Sequence, residues 1–538
     1  MNVRTGAAQA VKTLEILGVK TLFGIPGIHN LDLYDALLDS PIEVLTTRHE
    51  QGAAFAADGY GRMTGEPGVA LVIGGPGLTN ALTPLGQAFH DSVPLLLLSS
   101  DVPRAYGKSR RGFLHELRDG QGMARSVCKE SLAVTEAADI APAIERGWTL
   151  CRQGRPGPVH VQIPLDLLAQ RGSFDDPRPP RRPSAPLLPQ EPFDEALSLL
   201  REAPQAAFVA GGGARHARSL TELVEKLGAP LATTCAGKGI LDEGHPLSLG
   251  TTLHLAPVRA FLESVDVLVV VGSELSPTDL WENPLRPRGK VIRVDVDPSH
   301  FTASPQADVA LAADGDLVVG ALAAALERRP YSVEERGRTV RRLLDEARSS
   351  LPSVTGLGPL ADEVRSFLRA LRRGLPREGV LFADMTTPAY MALSEFPVAE
   401  AGLFFHPVGF GTLGWALPAA LGARAADRQR PLVVLCGDGG FQFTLPELAL
   451  AVESRLPLVI VIWNDGGFGE IRRNEELRHR GRTLAVDQSL PDLPALARAY
   501  GVDASVLFSP RELETALSQA LASGKTTLID YRSGGQGR

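Results

Sequence analysis

Short, unbroken apolar runs punctuate this chain, and most end in glycine or an acidic residue before a stretch with helical spacing. Pro431-Leu-Val-Val-Leu-Cys436 runs into Gly437-Asp438-Gly439, and Leu458 to Trp463 runs into Asn464-Asp465-Gly466-Gly467. Apolar runs of this length without polar alternation read as strands buried on both faces. The same reading gives strands at Thr21 to Gly24, Glu43 to Thr47, the run from Val69, Ala206 to Ala210, Val265 to Val271, Val291 to Asp297 and Gly379 to Asp384. Between them, Arg48 to Arg62, Leu417 to Arg424 and Leu445 to Glu453 carry helical patterns. Strands alternating with helices predict an α/β protein with doubly wound parallel sheets.

Two shifts in composition divide the pattern into three blocks. Residues 173–192 are too rich in proline for a helix or a central strand and read as an exposed linker. An arginine-rich helix, Glu334 to Arg348, followed by Leu351-Pro352-Ser-Val-Thr-Gly356, makes residues 327–358 a second connector. The expected domains are therefore 1–172, 193–328 and 357–538. Helix 48–62 is built of unusually small residues, which predicts close approach by a neighbouring helix, one from another subunit included.

Composition narrows the class only a little. The 538 residues are 44% apolar, enough for several cores, and the net charge of −7 argues against a nucleic-acid footprint. Cys128, Cys151, Cys235 and Cys436 lie far apart with no CxxC pairing, as in a cytoplasmic protein with reduced thiols. The N-terminus lacks an apolar signal core, and no apolar run approaches the roughly 18 residues of a membrane span.

Chemistry concentrates in the third block. Asp438 and Asp465 fall at the carboxyl ends of two parallel strands joined by one crossover, where open α/β sheets place ligands. Two carboxylates and the carbonyls of a glycine loop suit Mg²⁺, which shares its remaining positions with phosphate and water.

Gly437-Asp438-Gly439, 24 intervening residues, and Asn464-Asp465 closely resemble the thiamine diphosphate motif, GDG with Asn-Asn after a similar spacing. The resemblance extends from Leu22 to about Tyr531 and is to the acetolactate synthase and 2-oxo acid decarboxylase family. It implies a pyrimidine-binding, a middle and a diphosphate-binding domain in that order. Asp438, Asp465 and the Gly467 carbonyl would hold Mg²⁺; Asp465 replaces the family's second Asn, and its oxygen can serve a hard cation equally. Gly439 and Gly440 would border the cofactor, with Thr386 and Thr387 near its diphosphate.

The same resemblance assigns further residues. Glu50, opening the Arg48-His-Glu-Gln-Gly-Ala-Ala helix, would be the carboxyl that activates the aminopyrimidine; charge complementarity at a helix N-terminus is the plainer reading. Gly409-Phe-Gly-Thr-Leu-Gly414 satisfies G-x-G-x-x-G but lacks the strand and acidic residue of a dinucleotide site. In the family this stretch, through Gly411, cradles the cofactor, and Leu413 would be the wedge that bends it, with ordinary core as the alternative. His115 stands where acetolactate synthases carry Gln, and His29 lies just past Gly24-Ile-Pro-Gly27; either is a candidate proton donor or a structural histidine. Gly27 is assigned to the substrate pocket.

The middle block has a strand-then-glycine pattern, and acetolactate synthases hold FAD there. Gly250 to His254 and Gly272 to Ser276 do not match the FAD-contacting pattern, so the expectation is an empty domain with FAD as the alternative. The family builds each site between two subunits, implying at least a homodimer and usually a homotetramer.

The implied reaction is non-oxidative decarboxylation of a 2-oxo acid through an enamine, giving an aldehyde. Phe23-Gly-Ile-Pro-Gly-Ile-His-Asn, Leu114-His-Glu and Phe468-Gly-Glu-Ile look like 5-guanidino-2-oxopentanoate decarboxylases, and Glu470 could pair with a guanidinium. Its plainer role is an ion pair with Arg473. Acetolactate synthase-type carboligation is the runner-up, and a non-catalytic protein on this scaffold is the third reading.

Overall fold

The computed structural model describes residues 2–106, 111–179, 187–281 and 284–535. It contains three six-stranded sheets, each parallel throughout. In the first, the strands run in the spatial order Glu43–Thr46, Thr21–Gly24, Gly68–Val72, Leu95–Asp101, Pro158–Pro164, Glu130–Ala133. The second orders Ser248–Gly250, Leu231–Thr233, Ala206–Ala210, Val267–Val271, Lys290–Asp295 and Val309–Ala312. Phe404–Phe405, Val380–Ala383, Leu432–Gly437, Val459–Asn464, Thr527–Arg532 and Asp503–Leu507 make the third. The central strands are buried on both faces, so their apolar runs carry no alternation.

Both expected connectors are shorter than the sequence suggested. Residues Arg171–Phe174 pair antiparallel with Asn2–Thr5, and the helix Gln190–Glu202 takes in Pro192. A proline in the first turn removes an N–H that has no intrahelical partner, so it does not stop the helix. Residues 180–186 of the expected linker, and the last three of the third expected domain, lie outside the described residues. The arginine-rich helix runs Val333–Val354, straight through Pro352. Its buried Val340, Ala347 and Leu351 join the core of the second sheet.

The first and third sheets share one hydrophobic core. At its centre the helix Glu50–Thr64 crosses the helix Ala416–Ala426 of the same chain. A Cβ built on Gly59 would lie 1.9 Å from the Ala419 carbonyl oxygen, and one on Gly422 would lie 1.8 Å from that of Ala56. The small residues of both helices allow this backbone contact.

A buried polar network locks the crossing. Arg62 donates to Asp58 (2.8 Å) and to Asp91 (2.6 Å), and Trp415 donates its indole N–H to Asp58 (2.7 Å). Asp91 accepts from the Gly409 amide at 2.9 Å, and Gln87 accepts from the Thr412 hydroxyl at 2.8 Å. Arg62→Met strands two buried carboxylates and is expected to destabilise the protein by about 3–5 kcal/mol, read from the urea midpoint. Lys238 and Glu243 form a second buried pair at 2.8 Å. Lys238 also donates to the Leu393 carbonyl (2.8 Å), tying the middle domain down.

Candidate active site

The carboxyl ends of the third sheet gather most of the residues singled out in the sequence. Asp438 follows the strand Leu432–Gly437 directly and is fully buried. Its Oδ2 accepts from the Gly466 (2.8 Å) and Gly467 (3.0 Å) amides, and its Oδ1 from Gly439 (2.7 Å). Burial, with the neighbouring Asp465 charge added, pushes its pKa up to about 6 despite those donors. Burial raises Asp465 too, against the pull of Arg473 and Arg472.

The loop after the strand Val459–Asn464 is shaped by neighbours on both sides. Gly467 has φ +142°, and a Cβ there would strike the Val486 carbonyl oxygen at 2.2 Å. Its own carbonyl oxygen lies 3.5 Å from a Cβ built on Gly439, on the Asp438 side. Arg472 donates to the Asp465 and Gly466 carbonyls at 3.3 and 3.2 Å, leaving the Gly467 carbonyl to face Gly439. A fully buried carboxylate whose proton affinity is raised by a second, partly buried one, with a carbonyl alongside, is a donor set that a hard dication would stabilise.

Around this pair lie the other predicted residues of the block. Gly440 faces Leu413, whose Cδ2 would be 3.5 Å from an added Cβ, and Gly437 faces the Thr386 hydroxyl at 3.1 Å by the same measure. Gly411, at φ +68°, faces the Met385 methyl. Thr387 accepts from Arg473 at 2.8 Å; Arg473 also pairs with the Glu470 carboxylate, which accepts from Asn474 at 3.0 Å. Asp384 was not singled out in the sequence. It is buried, its pKa is pushed up to about 7 by burial, and it accepts the Gly414 amide at 2.8 Å, which anchors the loop carrying Leu413.

A second group sits at the carboxyl ends of the first sheet. Glu50 accepts from Asn80 Nδ2 at 2.9 Å, a partner that the sequence did not reveal. His29 and His115 bring their Nδ1 atoms within 3.1 Å, with ring centroids 4.3 Å apart. Burial, and then the charge of His115, lower the His29 pKa. His115 is held at φ +67° beside Gly75, where a Cβ would clash with it at 2.7 Å. Ile73 packs between Gly27 and Gly77, and Gly77 in turn lies against Glu50. Among the described residues, the hydrogen bonds and ring contacts of Glu50, His29 and His115 stay within this second group.

Glu447, also missed in the sequence, bridges the two domains at the start of the Glu50 helix. It accepts the Arg48 amide at 3.0 Å and the His49 amide at 3.2 Å, and its carboxylate fills the space over Gly52. Burial pushes its pKa from 4.5 up to about 7. The folded state therefore holds this proton more tightly than the unfolded chain, so the group's contribution to stability falls as pH rises from about 4.5 to about 7. Glu447→Gln should flatten the urea-midpoint profile across that window; an unchanged slope would show that another group sets it.

In the middle domain the glycine turn is filled by the chain itself. Gly211 donates to Val271 (2.9 Å) and Gly213 to Gly272 (3.0 Å), and a Cβ on Gly272 would lie 2.5 Å from Gly213. Nearby, His254 stacks on Trp281 at 4.2 Å, and burial holds its pKa down at about 4.

Parallel sheets with buried carboxylates and glycine loops gathered at their carboxyl ends are the layout of an α/β enzyme that works with a bound cofactor. The chain belongs to the thiamine pyrophosphate enzyme family. Residues 4–123 match its N-terminal TPP binding domain, 193–322 its central domain and 385–531 its C-terminal TPP binding domain. It is 38% identical to the "Probable 2-ketoarginine decarboxylase AruI" of Pseudomonas aeruginosa, over 98% of this chain and 94% of that one. It is 30% identical to the "Probable acetolactate synthase large subunit" of Methanocaldococcus jannaschii, over 98% and 91%. The "Acetolactate synthase isozyme 3 large subunit" of Escherichia coli is 31% identical, over 97% and 93%. The protein is thus a thiamine diphosphate enzyme of the decarboxylase or acetolactate synthase-like class. No helix among the described residues is long and apolar enough to cross a membrane.

Proposed function

We propose that this protein is a cytoplasmic, Mg²⁺-dependent decarboxylase of a 2-oxo acid with a guanidinium tail, such as 5-guanidino-2-oxopentanoate. The observation that carries the substrate class is the seat on Glu470: its carboxylate, beside the cofactor loop, already holds one guanidinium, that of Arg473. A substrate guanidinium would make the same charge-assisted contact. The relative from Pseudomonas aeruginosa, whose printed substrate is 2-ketoarginine, points the same way.

Asp438, Asp465 and the Gly467 carbonyl would hold Mg²⁺, and Thr386, Thr387 and the glycines 439 and 440 would receive the diphosphate. Leu413 and Gly411 would shape the bend of the cofactor, and Gly27 the pocket wall. The bound cofactor supplies an electron sink for the pair released as CO₂ leaves. Glu50, oriented by Asn80, would hold a proton at the aminopyrimidine, and the His29–His115 pair would deliver one to the product carbon. Glu50 and Asp438 belong to separate groups within one chain, which supports a site completed between two subunits in a homodimer or homotetramer. The self-filled glycine turn of the middle domain supports a protein without FAD.

Carboligation of pyruvate is the second reading, favoured by the acetolactate synthase relatives. The deciding experiment is product analysis with thiamine diphosphate, Mg²⁺ and either 5-guanidino-2-oxopentanoate or pyruvate. CO₂ and aldehyde from the guanidino acid are expected, with the rate falling roughly 10²–10⁴-fold in Glu50→Gln. Acetolactate from pyruvate, with no turnover of the guanidino acid, would replace this reading with the second.

A further inference from the structure

We propose that the cleft where the three domains meet binds a small ligand through one oxyanion, a phosphate ester or a carboxylate, seated on Arg215. The cleft has a volume of about 450 Å³, within the range of small-molecule sites. Its walls come from Thr64 at the end of the Glu50 helix, Arg215 after the glycine turn of the middle domain, and Glu400, Gly402 and Arg430 of the third domain.

Arg215 is charged, half-buried and forms no ion pair among the described residues. Its Nη1 donates to the Arg62 carbonyl at 2.8 Å, and its guanidinium lies over the Phe405 ring at 5.2 Å. Nη2 faces Gly402, which sits at φ +88°; a Cβ there would come within 2.4 Å of it, so only glycine lets the third-domain backbone pack this closely against the guanidinium. Arg430, by contrast, already has Asp427 at 3.5 Å. Burial, and then repulsion from Arg62, lower the Arg215 pKa to about 10, which leaves the group fully charged at neutral pH. A desolvated guanidinium beside another cation is costly, and a charge-assisted hydrogen bond from an oxyanion in the cleft to an N–H that Arg62 does not use offsets that cost. Glu400 on the same rim limits the ligand to one anionic group against Arg215.

The site has a route to the cofactor loop. Arg215 holds the Arg62 carbonyl, the Arg62 side chain holds Asp91, and Asp91 holds the Gly409 amide at the start of the loop that carries Leu413. A ligand on Arg215 would therefore bear on the same run of hydrogen bonds that holds this loop.

The test uses the full-length protein at constant ionic strength, with KCl as the control salt. Thermal unfolding and titration calorimetry would be run with inorganic phosphate, adenosine monophosphate and succinate. A saturable rise in Tm with at least one probe is expected, with its Kd raised tenfold or more by Arg215→Gln. Response to the two phosphate probes alone assigns a phosphate ester, and response to succinate alone a carboxylate. Thr64→Asp, which leaves Arg215 in place and adds a carboxylate to the cleft, should block binding equally and decides the matter if Arg215→Gln fails to fold. No saturable response in the wild type, or equal affinity in both variants, would overturn the proposal.

Discussion

Asp438→Asn is expected to produce a folded protein that no longer retains Mg²⁺ or thiamine diphosphate and has no measurable decarboxylase activity. The wild-type carboxylate is fully buried, accepts three backbone amides and has its proton affinity raised by burial and by Asp465. Asparagine keeps the shape and relieves the repulsion. Its oxygen can still serve Gly466 and Gly467, but its NH₂ then opposes the Gly439 amide, an unsatisfied contact worth about 1–3 kcal/mol. Relief and penalty are of similar size, so the urea midpoint of the apoprotein should move little. Metal affinity behaves differently, because the charge is what attracts the cation. Loss of a residue that merely orients a ligand lowers metal affinity about 10–100-fold, and loss of a charged ligand should exceed that. Mg²⁺ titration followed by cofactor retention on a desalting column separates the two effects. Wild-type retention in Asp438→Asn would place the metal elsewhere.

How much of this could be read in advance depended on whether a residue's partners were close in sequence. The strand ends carrying Asp438 and Asp465 were legible, because fully buried parallel strands leave unbroken apolar runs with the functional residue just past the last one. The Glu470–Arg473 pair was legible as an i,i+3 neighbour on one helix. Asn80, Asp384 and Glu447 were not. Each acts on a group 30 or more positions away, and nothing in their local pattern distinguishes them from other polar residues near turns. Pro352 read as a helix stop, yet the burial of Leu351 in the middle core carries the helix past it. The small residues of the Glu50 helix announced a close approach without naming the partner, since equal spacing in Ala416–Ala426 of the same chain or of a second chain would satisfy it.

Gly59→Val tests that close approach directly, and it is expected to be the most destabilising single substitution among those considered. Cβ at this position would lie 1.9 Å from the Ala419 carbonyl oxygen and 2.5 Å from its carbon. Both are backbone atoms, so no rotamer change relieves the clash and one helix must move away. Overpacking that a core can absorb costs about 1–3 kcal/mol; here the crossing itself separates, so more than about 3 kcal/mol is expected, with Gly59→Ala suffering a smaller share. Displacement would also pull Trp415 from Asp58, and with it the loop that places Leu413, so cofactor retention should fall along with the urea midpoint. Gly320 supplies a control of opposite sign. It lies inside the helix Gly315–Ala325 with nothing within 4 Å of an added Cβ. Gly320→Ala should therefore stabilise by roughly 0.5–1 kcal/mol through helix propensity alone. A Gly59→Val protein as stable as Gly320→Ala would mean that these two helices do not make this close crossing in solution.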